Sequence, residues 1–161
     1  MDLESLYREN VRFVASVVYR VIGKRGEVED VVQEVFVDAM EGIHRLEDPA
    51  KLRGWLATVA VRKARRRLGW SAARRWVGLE DTDRDPLWTS PDTPPEVHAL
   101  YGQVMKILSA GPENERLAWS LRYLEELSLE ETAAALGCSL ATAKRRIARA
   151  RERLKEVFDE Q

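Results

Sequence analysis

The chain has 161 residues; a third of them are charged, yet 26 Lys and Arg against 27 Asp and Glu leave a formal net charge of only −1. Its single cysteine, Cys138, excludes an internal disulfide framework and a cysteine-built zinc site. No apolar run approaches the ~18 residues of a membrane span and Met-Asp-Leu-Glu does not open a signal peptide, so a soluble, cytoplasmic protein able to bury its own core is expected.

Helical periodicity dominates, and strand signals are nearly absent. Leu3, Leu6, Val14, Val17, Val18 and Val21 predict a first helix ending at Gly23. Val28, Val31, Val32, Val35, Phe36, Ala39, Met40 and Ile43 form one apolar stripe on a second helix, whose other face carries Asp30, Gln33, Glu34, Asp38 and Glu41. A third helix is expected to start at Asp48-Pro49, with Asp as N-cap and Pro in the first turn. It should bury Leu52, Trp55, Leu56, Val59 and Ala60 before running into Arg62, Lys63, Arg65, Arg66 and Arg67.

Residues 80–96, with four prolines and six acids against one arginine, read as a flexible acidic linker. The expected fold is therefore all-α, with one small helical domain over 1–79 and another over 97–161. In the second, Val97, Leu100, Val104, Ile107 and Leu108 predict a helix stopping near Gly111-Pro112, and Leu117, Leu121 and Leu124 the inward face of the next, over 113–125. Ser128-Leu-Glu-Glu131 is a capping box that opens a short helix to Leu136. Gly137 closes it, and Ser139 can cap a longer helix, giving a helix-turn-helix.

In that last helix Leu140, Ala143, Ile147, Ala150 and Leu154 fall within about 80° of one another on a helical wheel. Thr142, Arg145, Ala148 and Arg149 lie opposite, flanked by Lys144 and Arg146. Small residues beside arginines suit close approach to a major groove, where Arg or Lys meets guanine O6 and N7 while neighbouring cations hold phosphates. The neutral total hides a segregated charge. Residues 1–48 carry 6 basic and 11 acidic side chains, 49–79 carry 9 and none, 80–131 carry 4 and 12, and 132–161 carry 7 and 4. The two basic blocks are candidate polyanion contacts, because a local field survives a neutral sum.

These features resemble the extracytoplasmic-function group of bacterial sigma factors. LSAGPENERLAWSLRYLEELSLEETAAALGCSLATAKRRIARARERL is similar to the family's region four, which reads the minus-thirty-five element. EVEDVVQEVFVDAM is similar to the region-two helix that docks on core RNA polymerase, and HRLEDPAKLRGWLATVAVRKARRRL to the part that melts and reads the minus-ten element. The resemblance implies polymerase contacts at Asp30, Gln33, Glu34 and Asp38, made to the clamp helices, with the flap of the large subunits as a further docking point. It also implies melting contacts at Arg62, Lys63, Arg65, Arg66 and Arg67, and promoter-duplex contacts along Thr142, Lys144, Arg145, Arg146, Ala148 and Arg149. Trp55, Trp70 and Trp76 lie in or beside the melting block, with Trp55 expected in the core. Arg62 stands where many members have Asn, and Leu46-Glu47-Asp48-Pro49-Ala50 replaces a Gly-, Asp- or Ser-rich loop. An anti-sigma partner is implied as well, together with a nucleoid location when the chain is in the holoenzyme.

No cofactor or metal site is expected, and the chain is not expected to be an enzyme. Glu41-x-x-His44 is half of a di-iron motif without a second pair, and neither a phosphate loop nor a nucleophile motif is present. The rival reading is a helix-turn-helix regulator that does not bind polymerase. Residues 27–67 discriminate, since a ligand-sensing domain has no use for an acidic docking helix followed by a block of cations.

Overall fold

Seven α-helices build the computed structural model, which describes residues 2–72 and 92–160. Helices α1 (Leu3–Ile22), α2 (Arg25–Gly42) and α3 (Leu52–Ala72) form the first bundle, with two short 3₁₀ turns between α2 and α3. Helices α4 (Pro95–Ser109), α5 (Glu113–Tyr123), α6 (Leu129–Leu136) and α7 (Leu140–Asp159) form the second.

Local chemistry sets most of the boundaries. Asp2 caps α1 by accepting from Ser5 N–H at 2.7 Å, an interaction with the charged carboxylate that lowers its pKa. Gly23 ends α1 in the left-handed conformation, at φ 71°. Asp48 caps a 3₁₀ turn over Pro49–Lys51 rather than α3 itself, which begins one residue later at Leu52. In the second bundle, α4 starts at Pro95, so Pro95 and Glu96 form a helical first turn. The remainder of the expected linker up to Pro91 lies outside the described residues, as does Trp76 and the side chain of Trp70.

The apolar stripe of α2 packs as expected: Val31, Val35 and Ala39 are fully buried against α1 and α3, beside Leu6, Val14, Val17, Leu56 and Ala60. Trp55 is half-buried, lying so close to Gly42 that a Cβ there would meet its ring at 2.9 Å. Leu3, Met40, Val97 and Leu100, expected to face inward, are instead exposed. Leu3, Val97 and Leu100 sit in the first two turns of α1 and α4, and Met40 in the last turn of α2, where neighbouring helices give little cover.

The two bundles share one core. Leu117, Leu121, Leu127, Ala135, Leu136 and Ile147 belong to the same buried cluster as the residues of α1–α3, because α6 lies on α3 and α5 touches α1. Leu56→Ala removes a fully buried side chain at the centre of this cluster, and a loss of about 2–5 kcal/mol is expected in denaturant unfolding.

Candidate nucleic-acid and polymerase interfaces

The helix-turn-helix forms as its sequence dictates. Ser128 N–H donates to Glu131 Oε1 at 2.9 Å, and Glu131 N–H to Ser128 Oγ at 3.0 Å, closing the capping box. Cys138 N–H reaches Ala133 O and Gly137 N–H reaches Ala134 O, with Gly137 left-handed at φ 66°, so a Schellman turn links α6 to α7. Ser139 then caps α7, accepting from Thr142 N–H at 3.1 Å. Ala143, Ile147 and Ala150 are buried against α5 and α6, which turns the opposite face of α7 outward.

Lys144, Arg145, Ala148 and Arg149 are exposed on that outward face, while Arg146 and Thr142 are half-buried. Arg145 leans on the Thr142 hydroxyl at 3.3 Å. Among the described residues no carboxylate pairs with Lys144, Arg145, Arg146 or Arg149, so this face presents uncompensated positive charge. Such a surface suits a phosphate-lined groove, with Arg145 and Arg149 forks available for base edges.

The predicted polymerase and melting residues come together in one surface. Lys63 Nζ lies 3.0 Å from Asp38 and Arg62 3.6 Å from the same oxygen. Arg67 bridges Asp30 at 3.2 Å and Glu34 at 3.8 Å. The helical faces that sequence reasoning assigned to separate partners therefore neutralise each other across α2 and α3. Gln33 is exposed on the same ridge, beside Val37, which is 61% exposed. Arg66 points outward without an acidic partner among the described residues.

Arg65 does something else. Its guanidinium donates to Leu136 O at 3.3 Å and to Asn114 Oδ1 at 3.2 Å, so it grips the second bundle at the carbonyl end of α6, where the helix dipole favours a cation. Beside it a groove of about 710 Å³ runs between α3 and α6, lined by Val61 and Leu68 on one side and Ala134 and Ala135 on the other, with Arg62 and Arg66 at its rim.

Sequence reasoning missed the residues that join the bundles. Glu125, just after α5, accepts from the Ser16 hydroxyl and from Arg20 Nε at 3.3 Å, while its carbonyl accepts from Arg53 at 2.7 Å. Arg20 also donates to the Tyr101 hydroxyl, and Arg116 donates at 2.7 Å to Arg20 O, one of the orphan carbonyls of the last turn of α1. Burial pulls the Arg116 guanidinium down to about 10, leaving it charged at neutral pH. The one available signal was the Ser16–Arg20 spacing of four, which sets both on the apolar face of α1. Glu41 and His44 are exposed, and among the described residues no cluster of three metal-ligating side chains occurs.

Comparisons with known proteins agree with this architecture. Residues 6–75 match the family model for Sigma-70 region 2, and residues 102–154 that for Sigma-70, region 4. The ECF RNA polymerase sigma-E factor of Escherichia coli (strain K12) is 32% identical over 148 residues, covering 86% of this chain and 77% of its own. The ECF RNA polymerase sigma factor SigE of Mycolicibacterium smegmatis is 29% identical over 162 residues, covering 96% of this chain and 61% of its own. Among solved structures, the sigma factor RpoE of Bartonella quintana, crystallised with the anti-sigma factor NepR, superposes with a TM-score of 0.71 at 21% identity, over 98% of this chain and 97% of that one. CnrH, solved with the cytosolic domain of CnrY, gives 0.66 at 22% identity, over 99% and 88%. The chain belongs to the extracytoplasmic-function group of sigma-70 factors, the RNA polymerase subunits that direct transcription to promoters.

Proposed function

We propose that this sigma factor divides its work between a domain over 1–79 and a domain over 97–161, with residues 80–96 as the linker. Asp30, Gln33, Glu34 and Asp38 dock on the clamp helices of core RNA polymerase, with a second docking point on the flap. Arg62, Lys63, Arg65, Arg66 and Arg67 hold the opening minus-ten element. Thr142, Lys144, Arg145, Arg146, Ala148 and Arg149 read the minus-thirty-five duplex. The observation that carries this reading is the outward face of α7, cationic, rich in small side chains and free of acidic partners among the described residues.

The ion pairs between α2 and α3 support the assignment of both helices. The Arg67–Asp30 pair is solvent-exposed, with Arg67 at 37% and Asp30 at 64%, and such pairs contribute ~0–1 kcal/mol, so either side can be exchanged for a polymerase or DNA contact at little cost, whereas Lys63 and Asp38 are half-buried. The chain itself performs no chemistry in this scheme; phosphodiester formation belongs to the polymerase. It works in the cytoplasm, on the nucleoid when in holoenzyme, and no described helix is long and apolar enough to cross a membrane. An anti-sigma factor binds it, a reading supported by RpoE having been solved in complex with the anti-sigma factor NepR.

Purified protein added to core enzyme should give promoter-specific transcripts from a genomic promoter library; no transcript, together with no core binding, overturns the reading. Arg149→Ala should lose ~1–3 kcal/mol of promoter affinity at particular base pairs in a mutant-operator series, whereas a uniform loss reassigns it to phosphates. Asp30→Lys with Glu34→Lys should abolish core binding in a pull-down while circular dichroism stays unchanged. A double-mutant cycle on Arg67 and Asp30 should give a coupling below ~1 kcal/mol, fading with salt.

A further inference from the structure

One cation of α7 is turned away from the row to which it belongs. On a wheel stepped at 100° per residue, Arg153 falls about 40° from Arg149 and one turn beyond it, so Thr142, Arg146, Arg149 and Arg153 follow one another at intervals of three or four. By that pattern it is the next arginine of the outward face. The fold withdraws it. Its guanidinium donates from Nη2 to Glu115 Oε2 at 3.2 Å, in the first turn of α5, and the side chain is half-buried.

Like Gly42, Gly54 and Gly111 are crowded by a side chain. A Cβ at Gly54 would meet Glu131 Oε2 at 2.5 Å, and one at Gly111 would meet Arg153 Nε at 2.5 Å and Cζ at 2.6 Å. Neither glycine is left-handed, unlike Gly23 and Gly137, so space and not backbone conformation requires them. The Arg153 guanidinium therefore lies directly on Gly111, in the turn between α4 and α5. Glu115, only 7% exposed, completes the seat. Pro112 leaves α5 without a side-chain cap, and a carboxylate in the first turn meets the positive end of the helix dipole, so Glu115 is held from one side by α5 and from the other by Arg153.

The rest of the packing sets the tilt of α7 only loosely. Ala143 and Ala150 let the helix approach its neighbours closely but present shallow ridges, and Ile147 is the single larger side chain buried with them. A tilt of about 10° moves a group 8 Å along the helix by about 1.4 Å, wider than the range in which a hydrogen bond to a base edge forms. Arg153 lies one turn from Arg149 and two from Arg145, so a tie at this point governs both.

We propose that Arg153 is a positioning residue for promoter recognition: seated on Gly111 and paired with Glu115, it fixes the tilt of α7 on the α4–α5 turn and so sets which base pairs Arg145 and Arg149 reach. The inference rests on the reading above, in which the outward face of α7 reads the minus-thirty-five duplex.

Holoenzyme reconstituted from the full chain is measured on a promoter from the genomic library and on a series with single base pairs of its minus-thirty-five element replaced. Arg153→Met, Glu115→Gln and Gly111→Ala should each reduce the preference for the parent element about tenfold, the size of one lost bidentate base contact, with the salt dependence of binding unchanged. Glu115→Gln combined with Arg153→Met should do no more than either alone. Gly111→Ala keeps both charges and displaces only the flexible end of Arg153, so it carries the test if a charge variant fails to fold. Weaker binding to every sequence with the preference intact marks a loss of stability alone and overturns the proposal. Tighter binding by Glu115→Gln, with a salt slope reduced by about one in Arg153→Met, makes Arg153 a phosphate contact and overturns it as well. Arg149→Ala is measured alongside. A base-specific loss there, with the preference of the three variants unchanged, overturns the positioning role alone; no base-specific loss there removes the reading of α7 and the proposal with it.

Discussion

One buried carboxylate organises this molecule. Glu125 is the point where α1, α3 and the second bundle meet, and its charge is tolerable only because Ser16 and Arg20 surround it. Removing one partner of such a pair leaves an unpaired charge in a low-dielectric interior, which costs far more than an exposed pair is worth. Arg116 extends the same network by neutralising the carbonyl end of α1 while itself remaining charged. Leu117, Leu121 and Leu127 belong to the apolar core that the two bundles share around this arrangement.

The contrast with α2 and α3 explains the charge pattern. A net charge of −1 is a poor match for a polyanion, but the charges are segregated and then partly matched inside the fold. Lys63 and Arg67 rest on the acidic face of α2, whereas Lys144, Arg145 and Arg149 on α7 have no such counterpart among the described residues. The first surface is balanced and weakly held, suited to exchange for larger partners. The second is permanently available.

Much of this was legible in the sequence where chemistry is local. Gly23, the Ser128–Glu131 box, Gly137 and Ser139 each act over a few residues, and each forms the cap or turn its type and position imply. The stripe of α2 was equally plain, because Val31, Val35 and Ala39 repeat with the helix. Helix ends were less legible: Met40 and Leu100 keep the apolar period but run past the helices that could cover them. The interface between bundles was illegible for a stronger reason. Arg53, Gly54 and Glu125 carry no local pattern and Arg20 only its spacing of four from Ser16, and their roles appear when segments as much as 109 residues apart are brought together. Arg65 shows the same limit, reading as one more cation in a basic run while it is bonded to α6.

Glu125 is satisfied across the two bundles by Ser16 and Arg20, so its coupling to Arg20 is the most direct measure of that dependence. Arg20→Met or Glu125→Gln alone should cost about 3–5 kcal/mol in denaturant unfolding, and the double variant should recover most of that loss. Losses that simply add in the double variant contradict it.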